Sequence, residues 1–434
     1  MRKLLLLVLV GFAAGNVVRA VSYENKPKDP YFDKFQPLKA PKPMKHFLRE
    51  GDRLAICGDS ITEQRMYSRI METYLTVCAP ELNVSVRQYG WSGEKAPGFL
   101  GRMTNDCLRF NPTIATTCYG MNDHEYRTFE PAIGTLYSNT SVRIIESFKA
   151  HGARVVQGSP GCVGKRPGWT KATNSTTEDL NLNLCALRNI GIEVAKKEKE
   201  AFADVFWPML VEGHEAMLKY GDGYALPGKD GVHPGWAGHL VMAYAFLHSF
   251  GLEGDIGTFT VDLGRNSAKV SAGHELIGFE NGELRVTSHK YPFCIGDGDP
   301  AKDDNIRSGT MLVPFNEELN RLTLVAKHGK AKAYKVTWGE GSKVYSAREL
   351  ARGVNLAADF GRNPFSDAFK RVDDAVAKKQ EFETHQIKAV FHGPQGKADM
   401  EGVAVSTEKE RAPLAAAIKE AFVPVTHTIK IEAQ

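Results

Sequence analysis

Ser60, in Gly58-Asp59-Ser60, and His233, in Asp230-Gly231-Val232-His233-Pro234, are the residues whose types suit joint chemistry. A serine hydroxyl attacks a carbonyl well only when a neighbouring base takes its proton. Histidine is such a base, and an aspartate one turn before it, Asp230, can fix the imidazole tautomer and stabilise the imidazolium. Plainer readings stand beside this one. Ser60 can cap the next helix, and Asp230 can close a turn beside an ordinary polar histidine.

Such residues need a frame. Residues 54–57 form a short apolar run of the length and flanks of a buried parallel strand. The following stretch, 62–75, carries Met66, Ile70 and Tyr74 at helical spacing. Ser60 therefore falls at a strand-to-helix turn, where open α/β sheets bind ligands and the free N–H groups of a helix start face an anion. A second strand at 84–88 leads to Gly90-Trp91-Ser92-Gly93-Glu94, and a third at 113–118 to Gly120-Met121-Asn122-Asp123. The Asp230 to Pro234 block precedes a helix at 237–250.

Together these blocks resemble the SGNH (GDSL-type) hydrolase family, in serine, glycine, asparagine, histidine order, over about residues 53–252. The resemblance implies a flavodoxin-like three-layer α/β sandwich on a parallel sheet. It implies Ser60 as nucleophile, His233 as base, Asp230 as its orienting partner, and an oxyanion hole made by the backbone N–H groups of Ser60 and Gly93 with the Asn122 amide. Glycine at 93 lets the backbone approach a ligand, although a turn glycine reads the same way, and Asn122 also suits a strand-end turn. Asp59 and Asp123 read as local anchors. Glu94 departs from the aspartate frequent there in the family. No Gly-X-Ser-X-Gly elbow occurs, which disfavours a lipase-type α/β-hydrolase.

Around residues 51–254, taken as the hydrolase domain, three further regions are expected. Residues 1–20 read as a signal peptide, with Arg2 and Lys3, an apolar core and Val18-Arg19-Ala20; the mature protein is then exported, secreted or periplasmic, with no stable membrane anchor. Residues 21–50, rich in Lys and Pro, read as an extended arm on the surface. Residues 255–434 read as a β-rich module with helices, a sandwich in outline, with strands near 259–263, 283–287, 321–325 and 333–338, helices at 346–358 and 366–386, and a returning strand at 424–432. The excess of 55 Lys and Arg over 51 Asp and Glu is small and spread out, which argues against a nucleic-acid partner. Seven cysteines are few for a disulfide scaffold; Cys57 and Cys118 fall in core strands, while Cys78, Cys107, Cys162 and Cys185 are free to pair. No Cys/His spacing suits zinc, and no cofactor is expected. Asn83, Asn139 and Asn174 begin glycosylation sequons.

The functional expectation is a secreted serine esterase that removes O-acyl groups, acetyl first among them, from a polysaccharide or a small ester. Export, the appended module and the aromatics Trp91, Tyr119, Tyr126 and Trp236 near the blocks favour it. A lipolytic esterase or lysophospholipase is the first alternative. A carbohydrate-binding protein on an inactive hydrolase scaffold is the second, and the presence of Ser60, Asn122 and His233 together speaks against it.

Overall fold

The computed structural model describes residues 21–170 and 174–434; the leader expected at 1–20 lies outside them. Strands β1 (Arg53–Gly58), β2 (Ser85–Gly90), β3 (Ile114–Cys118), β4 (Arg154–Gly158) and β5 (Ala201–Ala203) form a parallel sheet in the order β2-β1-β3-β4-β5. Between and after them run α1 (Ser60–Glu63), α2 (Tyr67–Val77), α3 (Ala96–Asp106), α4 (Pro131–Ala150), α5 (Thr177–Glu198), α6 (Phe206–Tyr220) and α7 (Trp236–Ser249). Past its exposed first residue, Arg53, β1 is apolar and buried because both of its faces are covered. Ala55 and Cys57 join Phe99, Tyr137, Phe148 and Leu187 from α3, α4 and α5 on one face. Leu54 and Ile56 join Ile70, Phe206, Leu240 and Phe246 from α2, α6 and α7 on the other. This is the expected three-layer arrangement. Its strand order reverses between β1 and β3, and the crevice at their carboxyl ends is where such sheets bind ligands.

The boundaries follow local chemistry. Asp59 caps α1 by accepting the Ile61 N–H, Pro131 starts α4, and a reciprocal capping box of Thr176 and Asp179 starts α5. The single helix expected over 62–75 is instead two. Arg65 takes a left-handed backbone, φ 57, and the Tyr67 N–H, which a continuous helix would send to Glu63, goes to His239 Nδ1 at 3.2 Å. Helix α6 was not anticipated; Pro208 and Gly213 interrupt its pattern in the sequence, and burial of Phe206, Trp207, Met209 and Leu210 supports it.

The arm is only partly superficial. Phe32, Phe35, Phe47 and Leu48 are buried in the main core, and Phe32 meets Trp207 edge-on at 5.7 Å. The Lys and Pro around these residues keep the chain extended while isolated apolar side chains dock, a pattern with no period to read.

Beyond residue 254 lie two more sheets. Strands β6 (Asp255–Asp262), β7 (Ser267–Val270), β8 (His274–Glu280), β9 (Glu283–Ser288), β10 (Arg321–Lys327), β11 (Ala333–Trp338), β12 (Gly341–Ser346), β13 (Val354–Asn355) and β14 (Val425–Ala433) pair as β13-β10-β6-β7 and β12-β11-β14-β9-β8. Their faces meet where Phe259 packs on His274 and His427. The helix expected over 346–358 is divided by Gly353, φ 101, into two short helices with β13 between them. The helix Ser366–His385 buries Phe369, Val372 and Val376 as its apolar stripe requires and lies along α2, with Ser68 Oγ donating to Gln380 at 2.7 Å and Arg69 paired with Asp373. The long helix Met400–Ala421 was not anticipated; few of its residues are buried, so its sequence has a weak apolar face. All seven cysteines are free thiols, and the pairing envisaged among Cys78, Cys107, Cys162 and Cys185 is not formed. No helix of the described residues is long and apolar enough to cross a membrane.

Candidate functional site

The strand and helix ends bring the predicted residues together. Ser60 is the first residue of α1, directly after β1. His233 Nε2 lies 2.8 Å from Ser60 Oγ, and His233 Nδ1 lies 2.7 Å from Asp230 Oδ2. A proton on Nδ1 shared with the carboxylate leaves Nε2 free to accept the serine proton. The other oxygen, Asp230 Oδ1, accepts the Val232 and His233 N–H groups, each at 2.9 Å. Partial burial pushes the Asp230 carboxyl up, but the His233 and Val232 donors and the imidazole outweigh it and hold the group below its ordinary value. Asp230 thus stays ionised wherever an imidazole can act as a base.

The loop before His233 is shaped by a glycine that sequence reasoning passed over. Gly228 has φ +92, and a Cβ there would lie 1.8 Å from the His233 carbonyl oxygen. Any side chain would push the histidine from Ser60.

The glycine block is a tight turn tied to both neighbours. The Trp91 N–H donates to Gly58 O at 3.1 Å and the Glu94 N–H to Trp91 O at 3.2 Å. Gly93, at φ +73, has open space where a side chain would stand. No acceptor among the described residues takes the Ser60 or Gly93 N–H. Asn122 Nδ2 donates to Glu94 O at 3.1 Å, and its Oδ1 accepts the Tyr126 hydroxyl at 3.3 Å. Those two bonds fix the amide's orientation and leave its second N–H available. Backbone N–H groups such as those of Ser60 and Gly93, and a side-chain amide such as that of Asn122, are groups able to receive a developing negative charge.

Supporting carboxylates sit behind these groups. Asp123 accepts the Ala96 and Gly120 N–H groups, each at 2.9 Å, so it anchors two turns at once. Burial pushes it up to about 6, and pushes Asp59, beside Ser60, up to about 7. Glu94, the departure from aspartate, has a reason in its longer reach. It takes Arg102 Nε and Nη2 at 2.7 Å each and the Tyr119 hydroxyl at 2.9 Å. Tyr119 is therefore buried structure and not a substrate platform, and Trp91 and Trp236 are half-buried under cations. Instead Trp169, 49% exposed, stands 5.7 Å from the His233 ring and 6.1 Å from Tyr126. It lies in a loop without periodicity, so nothing in the sequence singled it out. Among the described residues no three His, Cys, Asp or Glu side chains gather as a metal-binding group.

Residues 56–241 match the model for the GDSL-like Lipase/Acylhydrolase family. Among solved structures, a gut microbial diltiazem-metabolizing enzyme shares 22% identity at a TM-score of 0.70, over 91% of this chain and 100% of its own. The likeness in fold therefore extends well into the C-terminal sheets and helices. An acetylxylan esterase from Geobacillus stearothermophilus aligns at 21% identity and a TM-score of 0.39, over 48% of this chain and 98% of its own. An alpha/beta hydrolase enzyme from the metagenome of Lake Arreo, Spain, aligns at 20% identity and a TM-score of 0.38, over the same shares. No curated protein matches the chain.

Proposed function

We propose that the protein is an ester hydrolase that works through an acyl-enzyme on Ser60, a reading supported by the match of residues 56–241 to the GDSL-like Lipase/Acylhydrolase family model. The observation that carries this reading is the unbroken chain Ser60 Oγ, His233, Asp230, with both bonds at 2.7 to 2.8 Å. Ser60 Oγ attacks the ester carbonyl as its proton passes to His233 Nε2. The carbonyl oxygen, now an oxyanion, takes the N–H groups of Ser60 and Gly93 and the spare N–H of Asn122. His233 returns the proton to the leaving alcohol as the C–O bond breaks. Water, deprotonated by the same imidazole, then releases the carboxylic acid and restores Ser60.

The substrate proposed is a short O-acyl ester, acetyl first, on a sugar, met outside the cytoplasm after export. The exposed indole of Trp169 beside His233 supports it, since a flat aromatic face beside the leaving-group side suits a sugar ring. One feature favours a lipolytic second reading. A cavity of about 700 Å³ lined by Met209, Leu210, Met217 and Leu226 also includes Gly228 and Lys229 in its wall, next to Asp230. Hydrolysis of p-nitrophenyl acetate against the laurate and palmitate esters, with acetate release from acetylated xylan, separates the two. Preference for acetate in both assays is expected. A higher kcat/KM for laurate or palmitate would overturn the sugar-ester reading. A fluorophosphonate should label Ser60, and labelling elsewhere would overturn the nucleophile.

A further inference from the structure

The helix Ser366–His385 runs on into a π-helical turn, Gln386–Phe391, followed by His392. These residues lie well beyond the stretch that matches the acylhydrolase family, yet they reach the turn that carries Gly93. Lys388 Nζ donates to Glu63 Oε1 at 2.6 Å, and the other oxygen of that carboxylate accepts the Ser92 N–H. Glu63 is the last residue of α1 and Ser60 the first. One carboxylate therefore ties the nucleophile's helix to the glycine turn, and Lys388 holds that carboxylate. The pair is partly sheltered, with side-chain exposures of 29% and 20%, so water and salt screen it less than an open surface pair.

The start of the turn is gripped by the same segment. The Trp91 ring centre lies 5.3 Å from Lys388 Nζ and 5.1 Å from the Arg102 guanidinium, and His392 meets the indole edge-on at 4.8 Å. His392 is fixed in turn by Asp106 Oδ2 at 2.8 Å, which also takes Arg102 Nη1 at 3.3 Å. Gly93 has no side chain to anchor it, so the placing of its N–H is inherited from Trp91, Ser92 and Glu94. A misplacement of about 1 Å in a catalytic group can cost on the order of 10²-fold in rate. π-helical turns also concentrate at functional sites.

Resting on the reading of Gly93 as an oxyanion donor, we infer that Lys388 and His392 are positioning residues, through which the C-terminal region sets the Gly93 N–H against Ser60. The region is then a working part of the esterase site and not merely a module beside it.

The test uses the full chain, p-nitrophenyl acetate, and titration of active serines with a fluorophosphonate, so that kcat is counted per competent site. Lys388→Met should lower that kcat about tenfold, a fraction of the 10²–10³ expected for losing a donor outright, with KM within about twofold. Lys388→Arg keeps the cation and should recover most of the loss. His392→Leu should lower kcat in the same direction by less. If Lys388→Met does not fold, Lys388→Gln, which keeps a donor for Glu63 without the charge, carries the same test. An unchanged kcat per titrated serine, or Lys388→Arg as impaired as Lys388→Met, overturns the inference. A Ser60→Ala control separates the two levels. If that variant still hydrolyses the ester, the reading of the site has failed; if it is inactive while Lys388→Met is normal, only the positioning role has failed.

Discussion

Ser60 and Ser288 each hold a histidine ring nitrogen at 2.8 Å, one at the crevice of the parallel sheet and the other inside the C-terminal sheets. Around Ser288 every proton can be assigned. Trp338 Nε1 only donates, so His427 Nδ1 accepts from it at 3.2 Å. The His427 Nε2–H then donates to Ser288 Oγ at 3.0 Å, and the Ser288 hydroxyl donates to His274 Nδ1. The His274 Nε2–H ends the chain on Ile256 O at 3.0 Å. Both rings must be neutral for this arrangement, and burial pushes His427 down to about 3 and His274 below its usual value. Ser288 is fully buried. The histidine at Ser60 is backed by a carboxylate that welcomes an imidazolium, whereas those at Ser288 are backed by an indole N–H and a carbonyl. A serine and a histidine at bonding distance are thus a structural brace or a nucleophile according to what stands behind the ring and whether substrate can reach the hydroxyl.

The largest expected contrast is between the two serines. Ser60→Ala should lose about 10⁴-fold or more in kcat while remaining folded. Ser288→Ala should keep the wild-type kcat per folded molecule and lose about 1–3 kcal/mol of stability, because it leaves buried donors and acceptors unpaired. Activity assays with thermal melts on both variants decide it, and a Ser288→Ala enzyme with normal stability and low kcat would erase the distinction.

A smaller effect belongs to Asn122→Ala. One lost oxyanion donor costs about 10²–10³ in turnover, with KM little changed because the uncharged carbonyl makes the weaker bond. If Asn122 only closes its turn, the variant will melt earlier and retain its kcat.

The smallest effect is one of pH. His427 and His274 have folded values below the unfolded one near 6.5, so the unfolded chain binds their protons first and stability falls with acidity. Their contribution is complete above about pH 6.5 and is lost progressively below it, toward 3 for His427. The raised carboxyls Asp59 and Asp123 act in the opposite sense, losing stability as pH rises through about 7 and 6. Comparing wild type with His427→Gln between pH 7.5 and 5 cancels those terms. The wild type should lose more melting temperature over that range, and parallel curves would remove the neutral chain from the account.

Much of the site was legible because its chemistry recurs in short blocks. Gly58-Asp59-Ser60, the Gly93 and Asn122 blocks and Asp230 to His233 each sit at the end of an element with a clear apolar pattern. What the sequence hid lacks a period or acts at long range. Phe32 and Phe35 dock singly from an extended arm, α6 is crossed by Pro208 and Gly213, and Trp169 stands in an irregular loop. Lys388 meets Glu63 across 325 residues, and no window of sequence spans such a pair. The Ser288 chain was hidden for another reason, since its histidines are spaced for sheet pairing and carry no catalytic signature.

Strand β14 lies between β11 and β9 in its sheet, and the hydroxyls of Thr287 and Thr426, which meet across the β9 and β14 pair, are 139 residues apart in the chain. A ribosome adds about 5–20 residues each second, so the β8 and β9 hairpin emerges on the order of ten seconds before its partner exists. During that interval its inner edge is a row of unpaired backbone donors and acceptors, open to any other strand. Output of this protein is therefore tied to how well that edge is shielded while synthesis is still under way.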